Sequence, residues 1–161
     1  MPESLPRTGS PPETQFQHTR LLSADERELW RRFVETHATI VRRLDEDLRS
    51  HSGLTLSSFE VLYELVRAPA NQLRMAELAD RLLFTRSGVT RLIDRLERQG
   101  FVERGECPDD GRGVFAAMTA KGFDAFEAAA APHVEGIRRL FFDRLDGSDD
   151  VLGRLLLQLD P

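Results

Sequence analysis

The stretch from Arg86 to Gln99 sets Ser87, Thr90, Arg91, Arg95 and Arg98 among the apolar residues Val89, Leu92, Ile93 and Leu96. On a helix that advances about 100° per residue, the four apolar side chains cluster on one side. Ser87, Arg91, Asp94 and Arg98 fall opposite, flanked by Thr90 and Arg95. Hydroxyls and guanidinium groups on one free face suit hydrogen bonding to phosphates and base edges. Arginine binds both in a bidentate manner better than lysine does, and of the 22 basic residues only Lys121 is lysine. Ser87 and Thr90 lie near the helix N-terminus, where amides favour phosphate oxygens.

Other chemistry finds no support. His18, His37, His51 and His133 show no close ligand spacing, so no metal site is expected. Nucleophile elbow, phosphate loop and zinc motifs do not occur, and no cofactor or catalytic residue is expected. Cys107 is the single cysteine, which excludes an intrachain disulfide. It lies in a turn-rich loop beside arginines, where an exposed thiolate could oxidise.

The elements that hold this face read as follows. Residues 1–22, rich in Pro, Ser and Thr, form a disordered arm. Ser23 and Glu26 fit a capping box for a first helix, whose stripe runs from Leu29 through Phe33, Ile40, Val41 and Leu44 to Leu48. A second helix begins at Ser57, with Glu60 completing another capping box, and Pro69 ends it. A third runs from Met75 to Leu82. A turn over Leu83, Phe84 and Thr85 leads into the fourth, which Gly100 closes. Phe101–Arg104 and Val114–Met118 read as a β-hairpin with a long tip over residues 107–113. Thr119 caps a long helix through Leu145, kinked at Pro132, and Ser148 starts a last helix bearing Val151, Leu152, Leu155, Leu156 and Leu159. Short helix, tight turn, helix and hairpin together make a winged helix-turn-helix.

The residues Met75-Ala76-Glu77-Leu78-Ala79-Asp80-Arg81-Leu82, followed by Ser87 through Arg104, resemble the core of the MarR family. Asp110-Gly111-Arg112 is similar to that family's Asp-x-Arg wing signature, and Thr119 and Gly122 to its entry into the next helix. The resemblance covers residues 75–122. It implies a mainly α fold: a winged helix-turn-helix lobe (55–118) with a two-stranded β-hairpin wing, flanked by N- and C-terminal dimerisation helices (23–50 and 119–161), all in one domain over 23–161. It further implies a homodimer on pseudo-palindromic double-stranded DNA, with Thr85, Arg86, Ser87, Gly88, Thr90, Arg91, Arg95 and Arg98 in the major groove. Arg112 would enter the minor groove, and Asp110 would steady the wing by pairing with an arginine. Gly111 stands where many relatives carry a second arginine. A small aromatic or anionic effector is implied as well, with Trp30, Phe33, His37, Phe59 and Tyr63 as candidate lining.

Charge fits this reading once its distribution is considered. The chain of 161 residues has a net charge of −5. Between Arg74 and Arg98 six arginines oppose four acids, so this segment is at +2 and the remainder at −7. Acidic charge elsewhere limits unspecific association with nucleic acid. Asp94 lies on the arginine face. It could repel phosphate, accept from a cytosine amino group, or pair with Arg91 or Arg98; pairing along the helix is the expectation. No apolar run spans a bilayer and Met1–His18 lacks a signal-peptide core, so a cytoplasmic, non-membrane protein is expected. The expected function is a sequence-specific transcriptional regulator, a ligand-responsive repressor; the alternative is a winged-helix protein-interaction module.

Overall fold

The computed structural model describes residues 21–82, 84–106 and 114–159. Helix α1 spans Ala24–Ser52. Its capping box forms as the sequence requires: Glu26 N donates to Ser23 Oγ at 3.1 Å and Ser23 N to the Glu26 carboxylate at 2.7 Å. The chain divides into two compact units within this helix, after Thr36. In the N-terminal unit α1 carries an ion-pair ladder, Arg31 bridging Glu28 and Glu35, with Arg32 also on Glu28.

In the second unit, α2 covers Leu56–Arg67. Its cap is not the expected Ser57–Glu60 box. Thr55 is the N-cap, its hydroxyl accepting from Ser58 N at 3.1 Å. Asp45 of α1 accepts a further orphan amide, Leu56 N, at 2.8 Å. A 3-10 turn at Pro69–Asn71 follows, with Ala70 and Asn71 at positive φ. This turn delivers β1 (Gln72–Arg74) onto the hairpin strand β3 (Val114–Met118), which pairs on its other edge with β2 (Val102–Glu106). The sheet is antiparallel in the order β1-β3-β2, so the wing is three-stranded at its base rather than two-stranded. Leu73 faces Ala116 across one ladder and Val102 faces Met118 across the other. Leu73, Ala116 and Val102 point inward and are buried.

Helices α3 (Met75–Arg81) and α4 (Arg86–Arg98) lie between β1 and β2 in sequence. Leu62 and Leu65 of α2, Leu78 of α3, and Val89, Ile93 and Leu96 of α4 are fully buried in one core with Val102 and Ala116. Gly100, at φ +74°, closes α4. Gly100 N donates to Glu97 O and Phe101 N to Leu96 O, both at 2.9 Å, which is the Schellman pattern.

Helix α5 (Ala120–Leu140) starts at Thr119, whose hydroxyl accepts from Gly122 N at 3.0 Å and donates to Gly100 O at 2.7 Å. The helix continues through Pro132 but stops five residues before the expected Leu145. Phe141 leaves helical geometry and packs edge-on against Phe142, and a 3-10 turn follows. Helix α6 covers Asp149–Leu159. No helix among the described residues is long and apolar enough to cross a membrane.

Gly122 marks the tightest joint. A Cβ there would sit 2.1 Å from the Phe101 carbonyl oxygen, a backbone atom with little room to withdraw. Gly122→Ala is therefore expected to destabilise the fold by about 1–3 kcal/mol through overpacking. Urea denaturation measures this, and an unchanged midpoint would show that the α4–α5 joint relaxes freely.

Candidate nucleic-acid interface

Helix α4 owes its position to its first residue and its buried face. Thr85 is the N-cap, its hydroxyl accepting from Gly88 N at 3.1 Å and lying 3.2 Å from Ser87 Oγ. Val89, Leu92, Ile93 and Leu96 are buried, as the wheel predicts. The opposite face is open: Arg86, Ser87, Thr90, Arg91 and Arg98 are exposed and Gly88 is half-buried. Thr90 Oγ1 donates to Arg86 O at 3.0 Å, and Arg98 Nε to Asp94 O at 3.1 Å. The guanidinium groups of Arg86 and Arg91 show no ion pair or hydrogen bond among the described residues and are available. A shallow cavity of about 300 Å³ adjoins this face, lined by Ser57 and Phe84 together with Gly88, Arg91, Leu92 and Arg95.

Arg95 is not among the open groups. Its Nη2 donates to Thr55 Oγ1 and Ser58 Oγ, both at 2.9 Å, and the two hydroxyls lie 2.8 Å apart. The side chain is half-buried and ties α4 to the capped end of α2. This corrects its placement on the free face: at the edge of the wheel, a long side chain reaches whichever acceptors the neighbouring helix offers.

Asp94 pairs with neither Arg91 nor Arg98. Its partner is Arg104 of β2, at 2.5 Å. Arg104 also holds Glu97 at 2.6 Å and the Thr90 carbonyl at 3.2 Å, and its own backbone N donates to Glu97 at 3.3 Å. Only a quarter of this side chain is exposed. One guanidinium thus neutralises both acids in the second half of α4 and locks the root of the wing to the helix. Arg104 was not singled out from the sequence; the available signal was the spacing of Asp94 and Glu97, three residues apart on one face, with an arginine four residues beyond the Gly100 stop. Asp110, Arg112 and Cys107 lie outside the described residues.

The expected effector residues fall in both compact units. Trp30 and Phe33 pair with each other at 5.8 Å between ring centroids, both more than half exposed on α1. His37 is exposed. Phe59 and Tyr63 instead line a cleft between α2 and α5, of about 320 Å³. Phe59 stacks on Phe126 at 5.2 Å and meets the His133 ring at 4.4 Å. Glu60 also lines the cleft, and burial pushes its carboxyl above the usual range. Burial pushes the His133 imidazole down, and its Nδ1 has no hydrogen-bond partner. No cluster of three or more potential metal ligands occurs among the described residues.

Residues 52–113 match the model of the MarR family. The HTH-type transcriptional regulator YkoM of Bacillus subtilis is 33% identical over 113 residues, 70% of this chain and 71% of that protein. Two solved structures from Streptomyces coelicolor superpose closely. Sco3205, a MarR family transcriptional regulator solved in complex with DNA, is 34% identical with a TM-score of 0.82, over 87% of this chain and 89% of that one. AbsC, another MarR family transcriptional regulator, is 32% identical with the same TM-score, over 89% and 95%. With a helix-turn-helix, a wing rooted on its second helix and this similarity along most of its length, the chain belongs to the MarR family of transcriptional regulators.

Proposed function

We propose that this regulator binds a pseudo-palindromic operator in double-stranded DNA as a homodimer and represses by occupying it, in a manner that responds to a small molecule. The observation that carries the DNA reading is the division of α4 into one wholly buried face and one open face. The open face presents Arg86, Ser87, Thr90, Arg91 and Arg98. These residues fit a helix laid in the major groove, Ser87 and Arg91 toward base edges and Arg86 and Arg98 toward phosphates. Thr85 and Gly88 serve by presenting the helix N-terminus, and Arg95 by holding the helix at its angle. Arg112, with Asp110 beside it, is assigned to the minor groove. The DNA-bound relative supports the mode of binding.

Two protomers would present two such helices about one turn of DNA apart. The apolar surface left by a single protomer supports this pairing. No residue of α6 is buried, and Val151, Leu155, Leu156, Leu157 and Leu159 are at least 45% exposed. Monomeric soluble proteins rarely leave contiguous apolar surface of this kind uncovered. The dimerisation role of residues 23–50 and 119–161 rests on the same ground.

The first test is selection of sheared genomic DNA from the encoding organism by the purified protein at near-physiological salt. Enrichment of one or a few pseudo-palindromes is expected, and its loss in Arg91→Ala. Recovery of unspecific DNA only, by folded protein, would refute sequence-specific binding. On the operator so obtained, Arg112→Ala should weaken contact with A·T-rich flanks more than with the half-sites, and should lower the salt slope of log K by about 1. An unchanged affinity and slope would remove the wing from the interface. Deletion of residues 148–161 is expected to abolish the dimer in sedimentation equilibrium; a soluble dimer would show that α6 takes no part in it.

A further inference from the structure

The cleft between α2 and α5 has a distinctive charge. Its lining comprises three aromatic rings (Phe59, Tyr63 and Phe126), three aliphatic side chains, Glu60 and His133. It contains one acid and no lysine or arginine. Glu60 has no ion-pair or hydrogen-bond partner among the described residues. The charged groups around it do not alter this balance. Glu64, one turn along α2, is engaged by Arg81 at 3.2 Å and Arg67 at 3.9 Å. Arg67 also stands 5.3 Å from the centre of the Tyr63 ring, so one face of that ring already accepts a cation. His133, on α5, is disfavoured as a cation by burial.

We propose that this cleft binds an organic cation with an aromatic or apolar body, an amine or quaternary ammonium compound, for which Glu60 supplies the countercharge and Phe59, Tyr63 and Phe126 the surrounding faces. The inference rests on the ligand-responsive reading above and names the class of the effector. A half-buried carboxylate without a partner carries a desolvation cost, and an entering cation offsets it. Aromatic faces attract the same charge through their quadrupoles. An anion would meet the opposite of each condition: a like charge at Glu60, the negative faces of the rings, and no cation in the lining.

The test is calorimetric titration of the full-length protein, without DNA, with three probes of matched ring size: benzyltrimethylammonium, benzoate and benzyl alcohol. The cation is expected to bind saturably and at least about tenfold more tightly than the other two, and Glu60→Gln to lower its affinity at least about tenfold, the scale of one lost charge-assisted contact. The fold of the variant is checked by melting. With its carboxyl pKa raised, native Glu60 binds more proton than the unfolded chain does, so its ionisation costs stability as pH rises. Glu60→Gln should then melt at or above the wild-type temperature at pH 7. Absence of binding by the cation, benzoate binding as tightly, or undiminished cation affinity in a folded Glu60→Gln each overturns the proposal. Because DNA is absent, the outcome is separate from that of ligand response. A cation that binds the cleft yet leaves operator affinity unchanged would uphold the ligand class and refute the ligand-responsive reading.

Discussion

Val89, Leu92, Ile93 and Leu96 are at most 8% exposed, and their burial is what makes Arg86–Arg98 a fixed helix. A segment of this length, with Gly88 and several β-branched residues, would be marginal alone, since isolated helices shorter than roughly 12–15 residues barely form in water. Burying each of the larger side chains contributes about 1.5–3 kcal/mol. That gain settles the existence of α4 and its rotation about its own axis. Once the four side chains face α2, α3 and the sheet, Ser87, Arg91 and Arg98 have only one direction left. The open face follows from the closed one.

Rotation alone does not fix tilt, and two arginines complete the placement. Arg95 joins α4 to the hydroxyl pair at the start of α2, and Arg104 joins it to the wing. Neither is fully exposed, so their bonds are less weakened by solvent than the surface ion pairs of α1. Arg104 has a second effect. Without it, Asp94 and Glu97 would set two negative charges beside the segment that must meet a polyanion. Paired, they become wing anchors and leave Arg86, Arg91 and Arg98 to dominate the local field. The arginines of this region divide into those that hold the helix and those that remain open, and local sequence alone does not distinguish them.

This division explains how much was legible beforehand. Periodic features were: the stripe of α4, the Schellman stop at Gly100, the Ser23 and Thr119 caps and the order helix, turn, helix, hairpin all rest on contacts within a few residues. The features missed depend on partners far along the chain. Arg95 meets Thr55 forty residues away, and Asp94 meets Arg104 across the Gly100 turn. Strand β1 is three residues long, too short for alternation to register, and exists because β3 offers it an edge. The end of α5 has no breaker between Gly136 and Leu145; the helix stops where Phe141 leaves helical geometry and packs on Phe142. Of the expected effector residues, Phe59 and Tyr63 line the cleft of the second unit with Phe126 and His133, neighbours that an aromatic stripe does not reveal.

Helix α2 is common to both regions. Thr55 and Ser58 at its first turn hold Arg95, while Phe59, Glu60 and Tyr63, in its next turn, line the cleft. A helix is stiff over so short a distance. A displacement of α2 that accommodates an occupant against Phe59 and Glu60 therefore also moves the two hydroxyls to which α4 is tied. The opposing wall, α5, begins at Thr119, which is bonded to the Gly100 carbonyl at the other end of α4. Lys121 adds a bond to the Gln99 carbonyl at 2.7 Å. The recognition helix is thus held at its start by the cap of Thr85, along its flank by α2, and at its end by α5. Two of these three attachments belong to the walls of the cleft. At the end of α4 the joint is close-packed, Gly122 lying so near the Phe101 carbonyl that α5 has little slack against it.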